Sequence, residues 1–147
     1  MRAPLQVLVI LYKKEKDEIL YGIGLRSTRN IWQFVAGGAE DKETPIEAAI
    51  GELSEETGIN IKEEDLIVLD SKTTIPVVNV TGTYTWGKDV FVVPEYAFAV
   101  NATNFQIKLS NEHTEFKWLK YDKAMEILTY DSNKSALWEL NEKLKNI

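Results

Sequence analysis

Residues Gly37 to Ile59 read GGAEDKETPIEAAIGELSEETGI and place seven carboxylates in 23 positions: Glu40, Asp41, Glu43, Glu47, Glu52, Glu55 and Glu56. The middle of this stretch is a helix with both ends marked. Thr44 can cap its N-terminus, Pro45 suits the first helical position, and Glu47 completes a T-x-x-E capping box. Ile46, Ala49, Ile50 and Leu53 recur at i, i+3, i+4 and i+7, the spacing of a buried stripe. Gly58 stands where a left-handed residue ends a helix. The Gly37-Gly38 pair ahead of it predicts a tight loop.

Within the helix, Glu52, Glu55 and Glu56 stand at i, i+3 and i+4 and share a face, where like charges repel. Glu55 and Glu56 also lie at the C-terminal end, where the helix dipole disfavours anions. A solvated acidic face is the plain alternative. A helix selected for stability alone would carry Lys or Arg there, so the arrangement calls for a compensating partner. A divalent cation fits, and an all-oxygen ligand set favours Mg²⁺, Mn²⁺ or Ca²⁺ over zinc.

The remaining sequence reads as a scaffold. Leu5–Tyr12 and Ile19–Arg26 are strands joined by the charged turn Lys13–Glu18, a hairpin pattern. Ser27–Asn30 is a loop, and Ile31–Ala36 a short strand carrying Trp32 and Phe34. After the acidic helix come a polar connection over Ile59–Asp65 and strand material over Leu66–Val80, interrupted at Pro76. Thr81–Asp89 is a loop with two aromatics, Tyr84 and Trp86. Phe91–Val100 is a strand in which Pro94 marks an edge or bulge. Ala102–Leu109 is weakly patterned, and Glu115–Leu119 is a short strand. Two helical segments, Tyr121–Leu128 and Lys134–Leu144, end the chain. Strands mixed with helices and no linker predict one layered α/β or α+β domain over residues 1–147.

Composition narrows the class. Apolar residues at 44% and charged residues at 27% are globular values. There is no cysteine, so thiolate chemistry and disulfides are excluded. The N-terminus has no signal-peptide pattern and its apolar run is too short to span a membrane, so a cytoplasmic protein without a membrane partner is expected. The net charge of −6, with no basic tract, argues against a nucleic-acid partner. A homodimer is left open.

The stretch resembles the Nudix box, G-x5-E-x7-R-E-U-x-E-E-x-G-U, with U a bulky apolar residue. Gly37, Glu43, Glu52, Leu53, Glu55, Glu56, Gly58 and Ile59 fill eight of its nine fixed positions. Gly51 stands where the family has Arg. The resemblance implies an α-β-α sandwich around a mixed sheet and hydrolysis of a nucleoside diphosphate linked to another group. It implies Mg²⁺ or Mn²⁺ held by Glu52, Glu55 and Glu56, one of which also helps deprotonate the attacking water. The backbone carbonyl of Gly37 or Gly38 is implied as a further donor. In the family the Glu at position 43 and the Arg at position 51 pair to brace loop against helix. Here Glu43 needs another partner (Lys42, a backbone N–H or water), and the site is expected to work with less rigidity. Glu40 and Asp41 read as solvated loop charges.

Beyond the box the chain is similar to dihydroneopterin triphosphate pyrophosphohydrolases, in Arg2-Ala3-Pro4, Trp32-Gln33, Glu112-His113 with Phe116-Lys117-Trp118-Leu119, and Ser132-Asn133-Lys134. That likeness implies Glu112 as a metal ligand from outside the box, with Glu115 the competitor. Arg2, Arg26 and Lys134 are candidate phosphate contacts. Trp32 is a candidate ring-flanking residue, with Tyr84 or Trp86 closing over. His113 is given no role. The implied reaction converts a triphosphate, dihydroneopterin triphosphate or a dNTP, to a monophosphate and pyrophosphate. Dinucleoside polyphosphates, nucleotide sugars and ADP-ribose remain alternatives, as does a non-catalytic nucleotide-binding module.

Overall fold

The longest apolar run seeds the centre of the sheet. In the computed structural model, which describes residues 2–81 and 85–146, that run is extended into strand β1, Arg2–Glu15, by polar residues at both ends. A two-residue turn at Lys16-Asp17 leads into β2, Glu18–Arg26, with Leu11 opposite Gly22 and Glu15 opposite Glu18. The turn is tighter than the sequence implies, and Lys16 accommodates it at φ 54°.

The stretch expected as one strand, Ile31–Ala36, divides in two. Strand β3, Trp32–Gln33, pairs with β2, whereas β4, Val35–Glu40, pairs with β1. The switch occurs at Phe34, which is fully buried and whose N–H donates to Asn133 Oδ1 at 3.0 Å. Strands β5, Leu66–Pro76, and β6, Val92–Asn101, are antiparallel, and β6 runs parallel to β1. The expected break at Pro76 is the end of β5. Pro94 pairs with Thr74 on one side only, because pairing with β1 starts at Glu95, so its missing N–H costs no ladder bond. Strand β7, His113–Leu119, lies against β2. The backbone order is β3-β2-β1-β6-β5, with β4 on β1 and β7 on β2, a mixed sheet.

Side-chain alternation along β1 builds two cores. Val7, Val9 and Leu11 point to one face and pack with Ala48, Ala49 and Leu53 of helix α1, Pro45–Thr57. Leu8, Ile10 and Tyr12 point to the other, against Ala136, Leu137, Leu140 and Leu144 of helix α3, Asp131–Lys145. Helix α2, Tyr121–Ile127, completes that layer. Two helical layers on a mixed sheet make the α-β-α sandwich that the family resemblance implies. Helix α3 begins earlier than the predicted Lys134, which brings Ser132 and Asn133 into its first turn. Among the described residues no helix is long and apolar enough to cross a membrane.

Candidate functional site

Helix α1 is capped as its residues demand. Thr44 Oγ1 accepts from Glu47 N at 3.1 Å, Glu47 Oε1 accepts from Thr44 N at 2.9 Å, and Gly58 turns left-handed at φ 75°. The helix is therefore fixed in register, and its last two turns present the acidic triad at three depths. Glu56 is 2% exposed, Glu52 is half-buried, and Glu55 is exposed. The shared face of the sequence reading is thus a gradient from core to rim.

The glycine pair that predicts a loop lies instead inside β4, with Gly37 opposite Val7 and Gly38 opposite Gln6. The turn proper follows at Asp41-Lys42, where Lys42 has φ 72°. Close approach explains both glycines. A Cβ on Gly37 would overlap the Glu52 carboxylate, and one on Gly38 would overlap the Arg2 guanidinium. The strand thus admits an acid from the α1 side and a base from the other.

Glu43 has the backbone partner left open above. Its Oε1 accepts from Glu40 N at 2.6 Å while Glu43 N donates to Glu40 O at 3.0 Å, so Glu43 closes its own turn without an arginine. A Cβ placed on Gly51 would meet nothing within 4 Å. Glu40 and Asp41, expected as solvated charges, are exposed but neither lacks a partner.

The loop before β7 is pinned on two sides. Lys108 N donates to Thr57 O at 2.8 Å and Ser110 N to Glu56 O at 3.1 Å, satisfying carbonyls at the end of α1. Ser27 N donates to Glu112 O and Ser27 Oγ to Asn111 O, each at 2.8 Å, tying the loop to the end of β2. Glu112 is thereby held where its charge acts on both Glu52 and Glu56. Glu115 sits in β7 opposite Leu25, is exposed, and exerts no comparable effect on either.

Burial, followed by the charge of Glu52, pushes the Glu56 carboxyl up to about 9, and Arg26 opposes the rise. Burial pushes Glu52 up to about 7; a hydrogen bond with Glu56 opposes the rise, Glu55 and Glu112 add repulsion, and Arg2 opposes it. Both Glu56 oxygens are buried, and among the described residues they meet no hydrogen-bond donor except the Glu52 carboxyl, which can donate only when protonated. His113 Nε2 stands 3.6 Å from Glu56 Oε1, beyond hydrogen-bond range. Burial lowers the His113 pKa, which favours the neutral ring, and the ring packs beside Glu56 and against Gly24. Among the described residues no three Asp, Glu or His side chains form a ready-made metal cage. The donors nevertheless fit a hard divalent ion. The buried carboxylate oxygens of Glu56, the Glu52 carboxylate against Gly37, and Glu112 across the gap offer oxygen ligands only.

On the opposite face of the sheet lies a cavity of about 240 Å³ between β1, β5, β6 and the start of α3. Arg26 lines it and also acts on Glu56 and His113, so it belongs to both halves of the site. Gln6 lines the cavity and accepts from Arg2 Nη2 at 2.6 Å. Trp32 and Lys134 are not among the lining residues, although their neighbours Gln33 and Asn133 are. The Trp32 ring instead carries Lys117 Nζ at 4.9 Å. Trp86 is tied down by an Nε1 bond to Arg2 O at 2.8 Å, and Tyr84 lies outside the described residues. Glu95, a cavity residue absent from the sequence reading, had one signal: it is the carboxylate in the otherwise apolar strand VVPEYAFAV.

The family model of the NUDIX domain matches residues 3–139. A dihydroneopterin triphosphate diphosphatase of Haemophilus influenzae is 28% identical over 132 residues, covering 89% of this chain and 83% of that protein. An asymmetrical bis(5'-nucleosyl)-tetraphosphatase of Rattus norvegicus is 29% identical over 108 residues, covering 74% and 68%. A crystal structure from Listeria monocytogenes, described as a candidate NUDIX hydrolase, superposes with a TM-score of 0.85 at 41% identity, covering 98% of this chain and 96% of that one.

Proposed function

The chain belongs to the NUDIX domain family, and on that premise we propose that it converts a nucleoside-triphosphate-like substrate to a monophosphate and pyrophosphate. It is a pyrophosphohydrolase. The proposed substrates are dihydroneopterin triphosphate, which the Haemophilus influenzae relative is named for, or a dNTP. The observation that carries the reading is Glu56, a buried carboxylate whose oxygens meet no donor but the neighbouring Glu52 carboxyl and which feels the charge of Arg26.

In this reading Glu52, Glu56 and Glu112 supply oxygen ligands for Mg²⁺ or Mn²⁺, with Glu55 at the exposed rim and the Gly37 backbone adding to the set. Such an ion, when bound, withdraws charge from the phosphoryl oxygens and lowers the pKa of water. Arg26, on the cavity wall, and Arg2, bonded to the cavity residue Gln6, neutralise phosphate oxygens, and the cavity receives the ring. With a cation bound, Glu52 and Glu56 would give up their protons to solvent, and a carboxylate so released could accept a proton from the attacking water. Glu43 keeps the turn before α1 closed. His113 excludes water behind Glu56.

A second substrate, a dinucleoside polyphosphate, is favoured by the likeness to the Rattus norvegicus tetraphosphatase. A hydrolysis screen with Mg²⁺ over dihydroneopterin triphosphate, dNTPs, diadenosine tetraphosphate and ADP-ribose separates the two. Pyrophosphate release from the first two is expected. Exclusive turnover of the dinucleotide would transfer the assignment to the second reading.

A further inference from the structure

Glu95 stands on β6 between Gln6 of β1 and Thr73 of β5, is 6% exposed, and lines the cavity. A buried carboxylate is costly to keep unless donors meet it. Among the described residues the Ser132 hydroxyl is the one side-chain group that favours its charged form. Arg26 and Arg29 line the same cavity but make no ion pair with it. The Ser132 hydroxyl is itself positioned: it accepts from Asn133 Nδ2 at 3.3 Å, and Asn133 Oδ1 is fixed by Phe34 N at 3.0 Å. The first turn of α3 thus orients the carboxylate. A carboxylate has about four acceptor sites, so one hydroxyl leaves capacity for a ligand. The walls are apolar where Ile31, Ile75 and Pro76 contribute, which suits a flat ring better than a lone ammonium group.

We propose that Glu95 is the specificity-determining residue for the ring of the substrate, accepting hydrogen bonds from two adjacent N–H donors. The 2-amino-4-oxopyrimidine edge, which guanine and pterin share, presents such a pair: a ring N–H beside an exocyclic amine. Adenine's corresponding edge offers a ring-nitrogen acceptor beside its amine, which a carboxylate repels, and hypoxanthine lacks the amine. Burial pushes the Glu95 carboxyl up to about 7, the cost that donors from a ligand would offset. This inference rests on the triphosphate reading above and names the substrate class for that site.

The test compares dGTP with dITP, which differ only in the 2-amino group, in wild type and Glu95→Gln. In wild type kcat/KM should favour dGTP by about tenfold or more, the worth of a hydrogen bond to a charged acceptor, with the difference in KM. Glu95→Gln should reduce that ratio to about threefold or less, because both nucleotides lose the charged acceptor for the ring N–H and only dGTP also loses it for the amine. If Glu95→Gln does not fold, Ser132→Ala should lower the ratio in the same direction. Equal use of dGTP and dITP by wild type, or a ratio that survives both variants, overturns the proposal. Should wild type hydrolyse no triphosphate, the reading of the reaction fails separately. Calorimetric binding of dGMP against dIMP then decides on Glu95, with tighter dGMP binding lost in Glu95→Gln expected and equal affinities contradicting it.

Discussion

Glu56 combines 2% exposure with carboxylate oxygens that meet no donor but the Glu52 carboxyl, an arrangement that is unfavourable in a helix kept only for stability. Its pKa of about 9 and that of Glu52, about 7, both lie above the usual 4.5. Between those values the folded chain holds protons that the unfolded chain has released, so stability falls as pH rises from about 4.5 to about 9. The slope is roughly 1.4 kcal/mol per pH unit for each such proton. Thermal unfolding in EDTA should therefore show Tm declining over this window, with a shallower decline in Glu56→Gln and recovery on adding Mg²⁺ at high pH. A wild-type profile as flat as the variant's would contradict the burial argument. Gly51 is the second informative residue. A helix-interior glycine with open space around its missing Cβ predicts that Gly51→Ala raises stability by about 0.5–1 kcal/mol in denaturant unfolding. Because Glu43 is already held by Glu40 N, Gly51→Arg should change turnover by no more than about fivefold, the worth of an exposed ion pair. A larger gain would mean that the missing arginine limits the site.

At the scale of elements, α1 was fully legible, because Thr44, Pro45, Glu47 and Gly58 each act through local backbone chemistry. Strand β4 was not. Glycine is depleted in strands, so Gly37-Gly38 reads as a loop until two distant side chains, Arg2 and Glu52, are seen to occupy the space on either face. The position of Glu112 was likewise illegible, since it depends on hydrogen bonds joining its loop to the ends of both α1 and β2. Helix α3 makes a further non-local contact. Its Glu139 accepts from Asp70 N at 2.7 Å and from Ser71 N at 2.8 Å, where β5 shifts register against β6. Burial raises its pKa, but these bonds, the Ser71 hydroxyl and Lys143 outweigh that and hold the carboxyl below its ordinary value. Its stabilising effect is therefore present above the unfolded pKa and lost as pH falls through the folded one. Glu139→Ala should cost about 1–3 kcal/mol at neutral pH, and the gap from wild type should narrow in acid. Equal stability at pH 7 would show that the bulge needs no such latch.

Over the whole molecule, the apolar run Leu5–Tyr12 is enough to predict a buried strand, and strands mixed with helical patterns are enough to predict layers. The cavity is a different matter. Gln6, Arg26, Glu95 and Ser132 come from four separate elements, and only sheet order and the early start of α3 bring them together. The sandwich puts the acidic cluster on one face and the cavity on the other, joined at Arg26. A substrate whose phosphates meet the carboxylates while its ring fills the cavity would span that junction. The most direct test is Mg²⁺-dependent pyrophosphate release from dihydroneopterin triphosphate by wild type and Glu56→Gln, with far-UV circular dichroism showing both folded. The account predicts pyrophosphate as the released product in wild type and a loss of at least about 100-fold in the variant. Unchanged turnover in folded Glu56→Gln, or orthophosphate as the only phosphorus product, would contradict it.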